Sequence, residues 1–306
     1  MSGIRRLWSR MVRFSAFYGL LKHLPDKAYL KLIYKCQMGK KPDLQHPTTY
    51  NEKLQWLKLY DHDPRYPRLA DKCEVKQFIK ETIGEPYVIP TLGVYDRFDD
   101  IDFDALPRQF VIKCTHDSGS AVICRDKATF DVPACRKKIE KALRTNYYLR
   151  WREWPYRNIK PRIMIESYIE DKATRELRDY KFFVFDGVVR AMFVAADRYS
   201  DTHELTFDFY DRDFLHLPIR QGHPNADEPQ KKPAAFEEMI RLAETLAADL
   251  PHARVDFYEA NGRVYFGEIT FYHFSGAVPF EPQTWDKTFG DWLRLPAGKQ
   301  GTGEET

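Results

Sequence analysis

The sequence predicts an α+β fold in which a mainly helical N-terminal region precedes a β-rich body. Three observations carry this. Apolar residues in the first third recur at helical spacing, the pattern after Gly84 changes to short β-rich runs, and two further helical stretches, Asp131 to Arg144 and Ala234 to Asp249, interleave with those runs. The chain has 306 residues, 43% of them hydrophobic and 30% charged, an ordinary globular composition. Such a chain buries roughly three quarters of its unfolded surface. It needs no disulfide staples and has room for one large or two modest domains, so disordered and collagenous classes are excluded.

Taken in order, Ile4 to Leu24 reads as a basic amphipathic helix, with Arg5, Arg6, Arg10 and Arg13 between apolar positions. Two readings stand: docking on the chain's own core, or lying on an anionic bilayer through residues 1–24. Pro25 and Asp26 open a second helix to about Met38. Thr49 followed by Glu52 is a capping-box signature before Leu54, Trp56 and Leu57. A further helix is expected from Leu69 to Thr82. Strands follow at Tyr87 to Tyr95, Phe110 to Cys114, Ala121 to Cys124, Arg162 to Ile169, Tyr180 to Phe185, Val188 to Ala195, Leu205 to Tyr210, Arg254 to Tyr258 and Arg263 to Ile269. Asp186-Gly187 and Asn261-Gly262 mark hairpins. Residues 1–47 form the basic N-terminal segment, 48–296 the main domain and 297–306 a disordered tail.

Charge is uneven. The net charge is +3, yet residues 1–60 carry 12 basic and 3 acidic side chains, leaving the remainder acidic. Nucleic-acid binding would spread positive charge over a whole face, so no nucleic acid partner is expected. The five cysteines are odd in number and never closer than ten residues, which fits neither a disulfide framework nor a zinc site. With no secretory core and no span of ~20 apolar residues, the expected location is the cytoplasm.

Three constellations could carry chemistry. The first is strand Phe110, Val111, Ile112, Lys113 followed by Thr115 to Ser120. Backbone N–H groups of a Ser/Gly loop can converge on phosphate and a lysine adds charge, although a plain hairpin turn gives the same string. The second is Arg254, Asp256 and Glu268. Arg254 and Asp256 share a strand face; a three-residue loop would bring Glu268 to it, and a two-residue Asn-Gly turn would send Glu268 to the other face. Two carboxylates and an arginine together suit Mg²⁺ beside a transition-state cation. The third is Glu166 at the end of an apolar strand, followed by Asp179 and Lys181 on one face of the next. His116 and His273, lone histidines near loops, read as structural.

In this order the pieces resemble the ATP-grasp superfamily: a helix lysine at Lys72, a strand lysine at Lys113, a Ser/Gly loop, a hinge glutamate at Glu166, RVDF at Arg254 to Phe257 and GEIT at Gly267 to Thr270. The chain is most similar to the teichuronopeptide-biosynthesis (TupA-like) branch. The match runs through HPTTYNEKLQWLKLY (from His46), ADKCEVKQFI (from Ala70), FVIKCTHDSGS (from Phe110), REWPYRNIKPRIMIESYI (from Arg152), DYKFFVFDG (from Asp179) and FGEITFYHFSG (from Phe266).

The resemblance implies an ATP-grasp fold, two α+β subdomains sandwiching the nucleotide, with ATP and Mg²⁺ as cofactors. By resemblance Lys72 and Lys113 would hold phosphates, Ser118, Gly119 and Ser120 would close over them, and Glu166 and Ile169 would meet adenine. Asp256 and Glu268 would hold Mg²⁺, Lys181 would meet the terminal phosphate and Arg254 the acyl phosphate. Thr270 stands where related ligases often have asparagine. The implied activity is carboxylate–amine ligation, attaching an amino acid or amine to a uronic acid of a cell-surface polysaccharide.

The segment from Tyr147 to Arg157 joins five aromatics to three arginines. Aromatic faces stack on sugars and arginine forks take carboxylates, so Trp151, Arg152 and Trp154, with Arg198, form the expected acceptor platform. A packed turn bracing the nucleotide site is the competing account. The basic first helix would keep the enzyme at the inner membrane face. The alternative function is a nucleotide-sugar glycosyltransferase whose metal is held by Asp61 and Asp63 or by Asp211 and Asp213.

Overall fold

The computed structural model describes residues 10–12, 14–16, 19–173, 177–196 and 204–297. Arg198 and the expected tail beyond residue 297 lie outside them, as do residues 4–9, 13, 17 and 18 of the expected first helix. Residues 10–12 and 14–16 are helical, but the helix does not reach Leu24. Gly19, at φ 71°, ends it, with Leu20 N–H bonded to Ser15 O at 2.8 Å and Gly19 N–H to Ala16 O at 3.1 Å. This is the Schellman arrangement a left-handed glycine permits.

Helix α1 (Asp26–Met38) and helix α2 (Tyr50–Tyr60) follow, the second closed by the Thr49/Glu52 capping box. The single helix expected from Leu69 to Thr82 is two helices, α3 (Tyr66–Ala70) and α4 (Glu74–Thr82). Asp71 breaks it. Its side chain accepts from the N–H of Cys73 at 2.7 Å and of Glu74 at 3.0 Å, a local bond that competes with the helix ladder. The break leaves Lys72 outside both helices, its N–H on Thr115 O at 3.0 Å.

A four-stranded antiparallel sheet comes next: β1 (Thr91–Tyr95), β2 (Phe110–Cys114), β3 (Val122–Cys124) and β4 (Ile163–Ser167), in the order β1-β4-β2-β3. Helix α5 (Val132–Leu143), capped by Asp131, covers one face, where Phe110, Ile112, Cys114, Ile139, Ile163 and Ile165 form one core. Strand alternation turns Val111 and Lys113 to the other face. The one-turn helix α6 (Tyr148–Trp151) lies between α5 and β4.

The larger sheet has six antiparallel strands, β5 (Asp179–Phe185), β6 (Val188–Ala196), β7 (Thr206–Asp211), β8 (His216–Leu217), β9 (His252–Ala260) and β10 (Arg263–Thr270), ordered β10-β9-β5-β6-β7-β8. Both expected hairpin turns are present, with φ 47° and 73° at Asp186 and Gly187 and 54° and 72° at Asn261 and Gly262. Two successive left-handed residues match the twist of the paired strands. Helix α7 (Phe236–Leu246) buries Phe236, Met239, Ile240, Ala243 and Leu246. Helix α8 (Thr284–Trp292), which the sequence reading did not anticipate, packs Phe289 beside Tyr50 of α2, with ring centroids 5.6 Å apart. The two sheets thus carry separate cores, and their remaining faces meet across a cavity.

Candidate active site

The cavity has a volume of about 820 Å³. From the small sheet it takes Lys113, Ile123 and Glu166; from the large sheet, Lys181, Phe193, Arg254, Glu268 and Thr270. Lys72, Ser118, Gly119 and Ile169 also line it.

Local backbone geometry decides where Glu268 stands. The β9–β10 turn is the two-residue form, with Ala260 opposite Arg263, which by itself would send Glu268 to the far face. A bulge corrects this: Phe266 lies opposite Phe257, Gly267 is extra, and Glu268 lies opposite Asp256. One inserted residue reverses the alternation. A side chain at Gly267 would crowd Asp256 O at 3.1 Å and Tyr258 at 3.2 Å. Thr270, opposite Arg254, completes the same face.

Arg254 is the hub of this face. It donates to Asp256 through Nε and Nη2, both at 2.7 Å, to Glu268 Oε1 at 3.1 Å and to Thr270 Oγ1 at 2.9 Å. Its Nη1 meets His273 Nδ1 at 2.7 Å. Since arginine only donates, His273 accepts at Nδ1 and directs Nε2–H to Gln221 Oε1, 3.0 Å away. Burial, Arg254 and Lys181 hold the His273 pKa far below normal. It is a neutral structural ligand of the arginine, as its sequence context suggested. Lys181 joins Asp256 from β5 and lies 3.5 Å from Asp179. Burial nevertheless raises Asp256, against the pull of Arg254 and Lys181.

The donors fit a hard cation. Asp256, Glu268 and the Thr270 hydroxyl offer oxygen only, and Mg²⁺ is commonly held by one or two carboxylates plus substrate phosphates. Among the described residues no group of three or more His, Cys, Asp or Glu suited to a metal is present, so phosphate oxygens would have to complete the shell. Glu268 reaches the cavity, whereas Asp256 is 1% exposed and spends its oxygens on Arg254 and Lys181. Thr270 donates to Glu268 Oε1 at 3.2 Å and so orients it.

On the opposite wall Glu166 binds two lysines, Lys113 of β2 and Lys76 of α4, the latter at 3.0 Å. Burial would raise this carboxyl, but Lys113 and Lys76 together hold it below the usual range. Lys76 is anchored by Ile89 O and Thr91 Oγ1, both at 2.8 Å. The sequence reading missed it, although it stands one helical turn beyond Lys72. Lys72 Nζ itself donates to Asp117 O in the Ser/Gly loop. Gly119 sits there at φ 96°. Ser120 does not face the cavity: its hydroxyl donates to Asp117 Oδ1 at 2.6 Å and accepts from Cys114 N–H at 2.9 Å, pinning the loop from behind.

The family model of TupA-like ATP-grasp proteins matches residues 52–294. The chain belongs to the TupA-like ATP-grasp family. Among solved structures, the ATP-grasp ligase PsnB with a phosphomimetic variant of its minimal precursor, Mg and ADP is 13% identical, with 80% of this chain and 66% of that one covered and a TM-score of 0.41. D-alanine–D-alanine ligase from Helicobacter pylori is 14% identical, with 80% and 69% covered and a TM-score of 0.40. The Bacillus anthracis enzyme complexed with ATP is 16% identical, with 67% and 54% covered and a TM-score of 0.38. The chain spans little more than half the length of the Bacillus anthracis ligase. No curated protein matches it.

Within this ATP-grasp chain the expected acceptor platform is largely dismantled. Arg152, at φ 55°, is 2% exposed and points away from the cavity. It donates to Lys22 O at 3.0 Å and Leu24 O at 3.3 Å, lies 3.1 Å from Asp26, and stacks over Tyr29 at 4.4 Å. Those contacts fix the N-terminal segment to the body and leave no fork for an acceptor carboxylate. Trp154 stacks on His62 at 4.9 Å. Trp151 does line the cavity, as do Tyr147, Glu153 and Tyr156, which the sequence reading did not assign. His116 is structural, its Nε2 3.2 Å from Ala142 O and from Thr145 O.

The glycosyltransferase alternative loses its metal ligands. Asp61 accepts from Tyr66 at 2.6 Å, Asp63 pairs with Arg65 at 2.8 Å, and Asp211 closes a turn on the N–H of Asp213 at 2.9 Å. Neither pair lines the cavity that holds the lysines.

Proposed function

We propose that the chain is an ATP- and Mg²⁺-dependent ligase that activates a carboxylate as an acyl phosphate and joins it to an amine. One observation carries the reading: Lys113 of the small sheet, with Lys72 beside it, and the Arg254, Lys181 and Glu268 set of the large sheet line the same cavity. Phosphoryl transfer asks the protein for positioning and charge neutralisation rather than a nucleophile, and that is what these residue types supply.

In this reading Lys72 and Lys113 hold phosphates, with Ser118 and Gly119 above them. Glu166 and Ile169 meet the adenine end, and Glu166 also keeps Lys113 extended toward the cavity. Glu268 at the cavity wall, with Asp256 behind it and phosphate oxygens completing the shell, would hold Mg²⁺, which when bound offsets phosphate charge. Lys181 meets the terminal phosphate, and Arg254, held at the cavity wall by Asp256, Glu268 and Thr270, stabilises the acyl phosphate.

The finer reading is that the acid is a uronic acid of a cell-surface polysaccharide and the amine an amino acid. Trp151, on the cavity wall, supports a sugar-stacking role. The basic N-terminal segment supports work beside an anionic inner membrane face: Met11, Phe14 and Leu20 are 60–67% exposed near Arg10, the combination an interfacial helix uses. No helix among the described residues is long and apolar enough to cross a membrane.

Calorimetric titration with Mg²⁺ and a non-hydrolysable ATP analogue, beside UDP-sugars, tests the core reading on the wild type and on Glu268→Ala. Mg²⁺-dependent analogue binding that the substitution weakens is expected. UDP-sugar binding with no response to the analogue would overturn it.

A further inference from the structure

Glu153 is a buried carboxylate on the wall of a cavity lined by both cations and carboxylates. It is 6% exposed and follows the left-handed Arg152, so the chain turns sharply and directs it inward; Tyr156 N–H bonds back to Glu153 O at 3.1 Å. Tyr147 and Tyr156 line the cavity with it, and burial raises its pKa against the pull of Lys58 and a hydrogen bond from Ser275, with Glu268 adding to the rise and Arg254 opposing it. Lys58 is the cation that offsets its charge, yet Lys58 spends its donors elsewhere. They go to Ser275 O at 2.8 Å, Ser275 Oγ at 2.6 Å and Gln55 Oε1 at 3.3 Å.

The turn that supplies Ser275 is itself unusual. Phe274, Ser275 and Gly276 are all left-handed, at φ 48°, 55° and 59°. Two consecutive non-glycine residues there cost about 1–3 kcal/mol each and persist only where the surroundings impose them. Gln55 imposes it, donating to Ser275 O at 2.9 Å and Gly276 O at 2.8 Å.

We propose that Glu153, walled by Tyr147 and Tyr156, is the subsite that receives the ammonium group of the acceptor amine and takes its proton. This rests on the ligase reading above. A buried carboxylate recognises an ammonium ion by charge and by hydrogen bonding. In this assignment Lys72, Lys113 and Lys181 serve phosphate and carboxylate, and Glu153 serves the amine. One ammonium proton passes to Glu153. The freed lone pair forms the C–N bond at the acyl carbon, the C–O bond to phosphate breaks with its electron pair leaving on phosphate, and the second nitrogen proton departs with that phosphate.

Ethylammonium is the probe, titrated in the millimolar range and followed by saturation-transfer NMR on enzyme holding Mg²⁺ and the ATP analogue. Wild type should bind it, Glu153→Gln should weaken it by about tenfold, as expected for loss of a charged hydrogen-bonding partner, and Glu153→Asp should retain part of the affinity. Absence of binding to wild type, or equal binding by wild type and Glu153→Gln, overturns the assignment. Analogue affinity measured in the same samples separates the two readings. If wild type fails to bind the analogue, the ligase reading falls; if it binds the analogue and ethylammonium binding does not depend on Glu153, only this assignment falls.

Discussion

Replacing Arg254 by methionine removes both 2.7 Å bonds to Asp256, the bonds to Glu268 and Thr270, and the partner of His273 Nδ1. Asp256, 1% exposed, is left with Lys181 alone. Breaking a buried ion pair from one side costs about 3–5 kcal/mol. For a chain of this size that lowers Tm by roughly 6–10 °C. The penalty depends on pH in a defined direction. Burial already holds the Asp256 pKa above normal, and losing Arg254 raises it further. A group whose folded pKa lies above its unfolded value contributes stability below the unfolded pKa and loses it as pH rises through the folded one. The gap between wild type and Arg254→Met therefore widens from acid toward neutral pH. Mg²⁺ should narrow it, because the cation takes over the charge the guanidinium supplied; at a hundredfold excess over Kd, binding adds about 2.7 kcal/mol. Differential scanning calorimetry with and without Mg²⁺ measures both trends, and ligase turnover should be abolished throughout. A gap indifferent to both pH and Mg²⁺ would refute Arg254 as the internal counter-ion of the metal carboxylates.

Further outcomes follow from the same structure. Gly276→Ala should destabilise the fold by about 2–5 kcal/mol, combining left-handed strain with overpacking, since a Cβ there would come within 2.5 Å of Gln55 Nε2 and 2.9 Å of Leu54 Cβ; a thermal melt matching wild type would contradict this. Glu166→Gln should weaken ATP-analogue binding in calorimetry by releasing Lys113 and Lys76. The depressed Glu166 pKa gives wild type stability that is present above the unfolded value and lost as pH falls through the folded one, and the variant should lack that dependence. Removing residues 1–18 should abolish binding to anionic vesicles in a flotation assay while leaving the melt intact. Removing residues 1–24 should also lower Tm, because Arg152 then loses its carbonyl acceptors on Leu21, Lys22 and Leu24.

Elements whose signals are local were legible in the sequence. The Thr49/Glu52 cap, the Asp-Gly and Asn-Gly turns and the alternation of β2 all depend on neighbours within a few residues, and each is where its pattern put it. Lys113, Glu166 and Lys181 line one cavity for the same reason, since strand alternation fixes their faces. What failed to show were features decided by distant contacts. The Asp71 break was hidden inside an apolar helical pattern. The Gly267 bulge produced the face for Glu268 that a three-residue loop had been expected to produce, and nothing in the string Phe266-Gly267-Glu268 distinguishes an inserted residue from a paired one. Arg152 was misassigned because arginine in an aromatic segment reads as exposed, and only the N-terminal carbonyls stacked against it explain its burial. Helix α8 was missed because its buried face is built by Phe289 and Trp292 against α2 and β5, partners far off in sequence.

The block from His46 to Tyr60 supplies no lysine or carboxylate to the cavity lining, yet its helix α2 controls the cavity's far end. Asn51 bonds Asp286 at 2.9 Å through its N–H and so fixes α8. Gln55 and Lys58, one and two turns on, hold the carbonyls and hydroxyl of the left-handed turn at Ser275. An ordinary loop after β10 would relax out of that conformation, so the strain is stable only while α2 supplies those donors. The same Lys58, its pKa lowered to about 8 by burial against the raising influence of Glu153, sets the charge that Glu153 presents to the cavity. Helix α2 therefore positions the amine end of the site, whereas β9, β10 and the small sheet position the phosphate end. Any relative that keeps the lysines and carboxylates but loses Gln55 and Lys58 should bind ATP normally and bind an ammonium ion poorly.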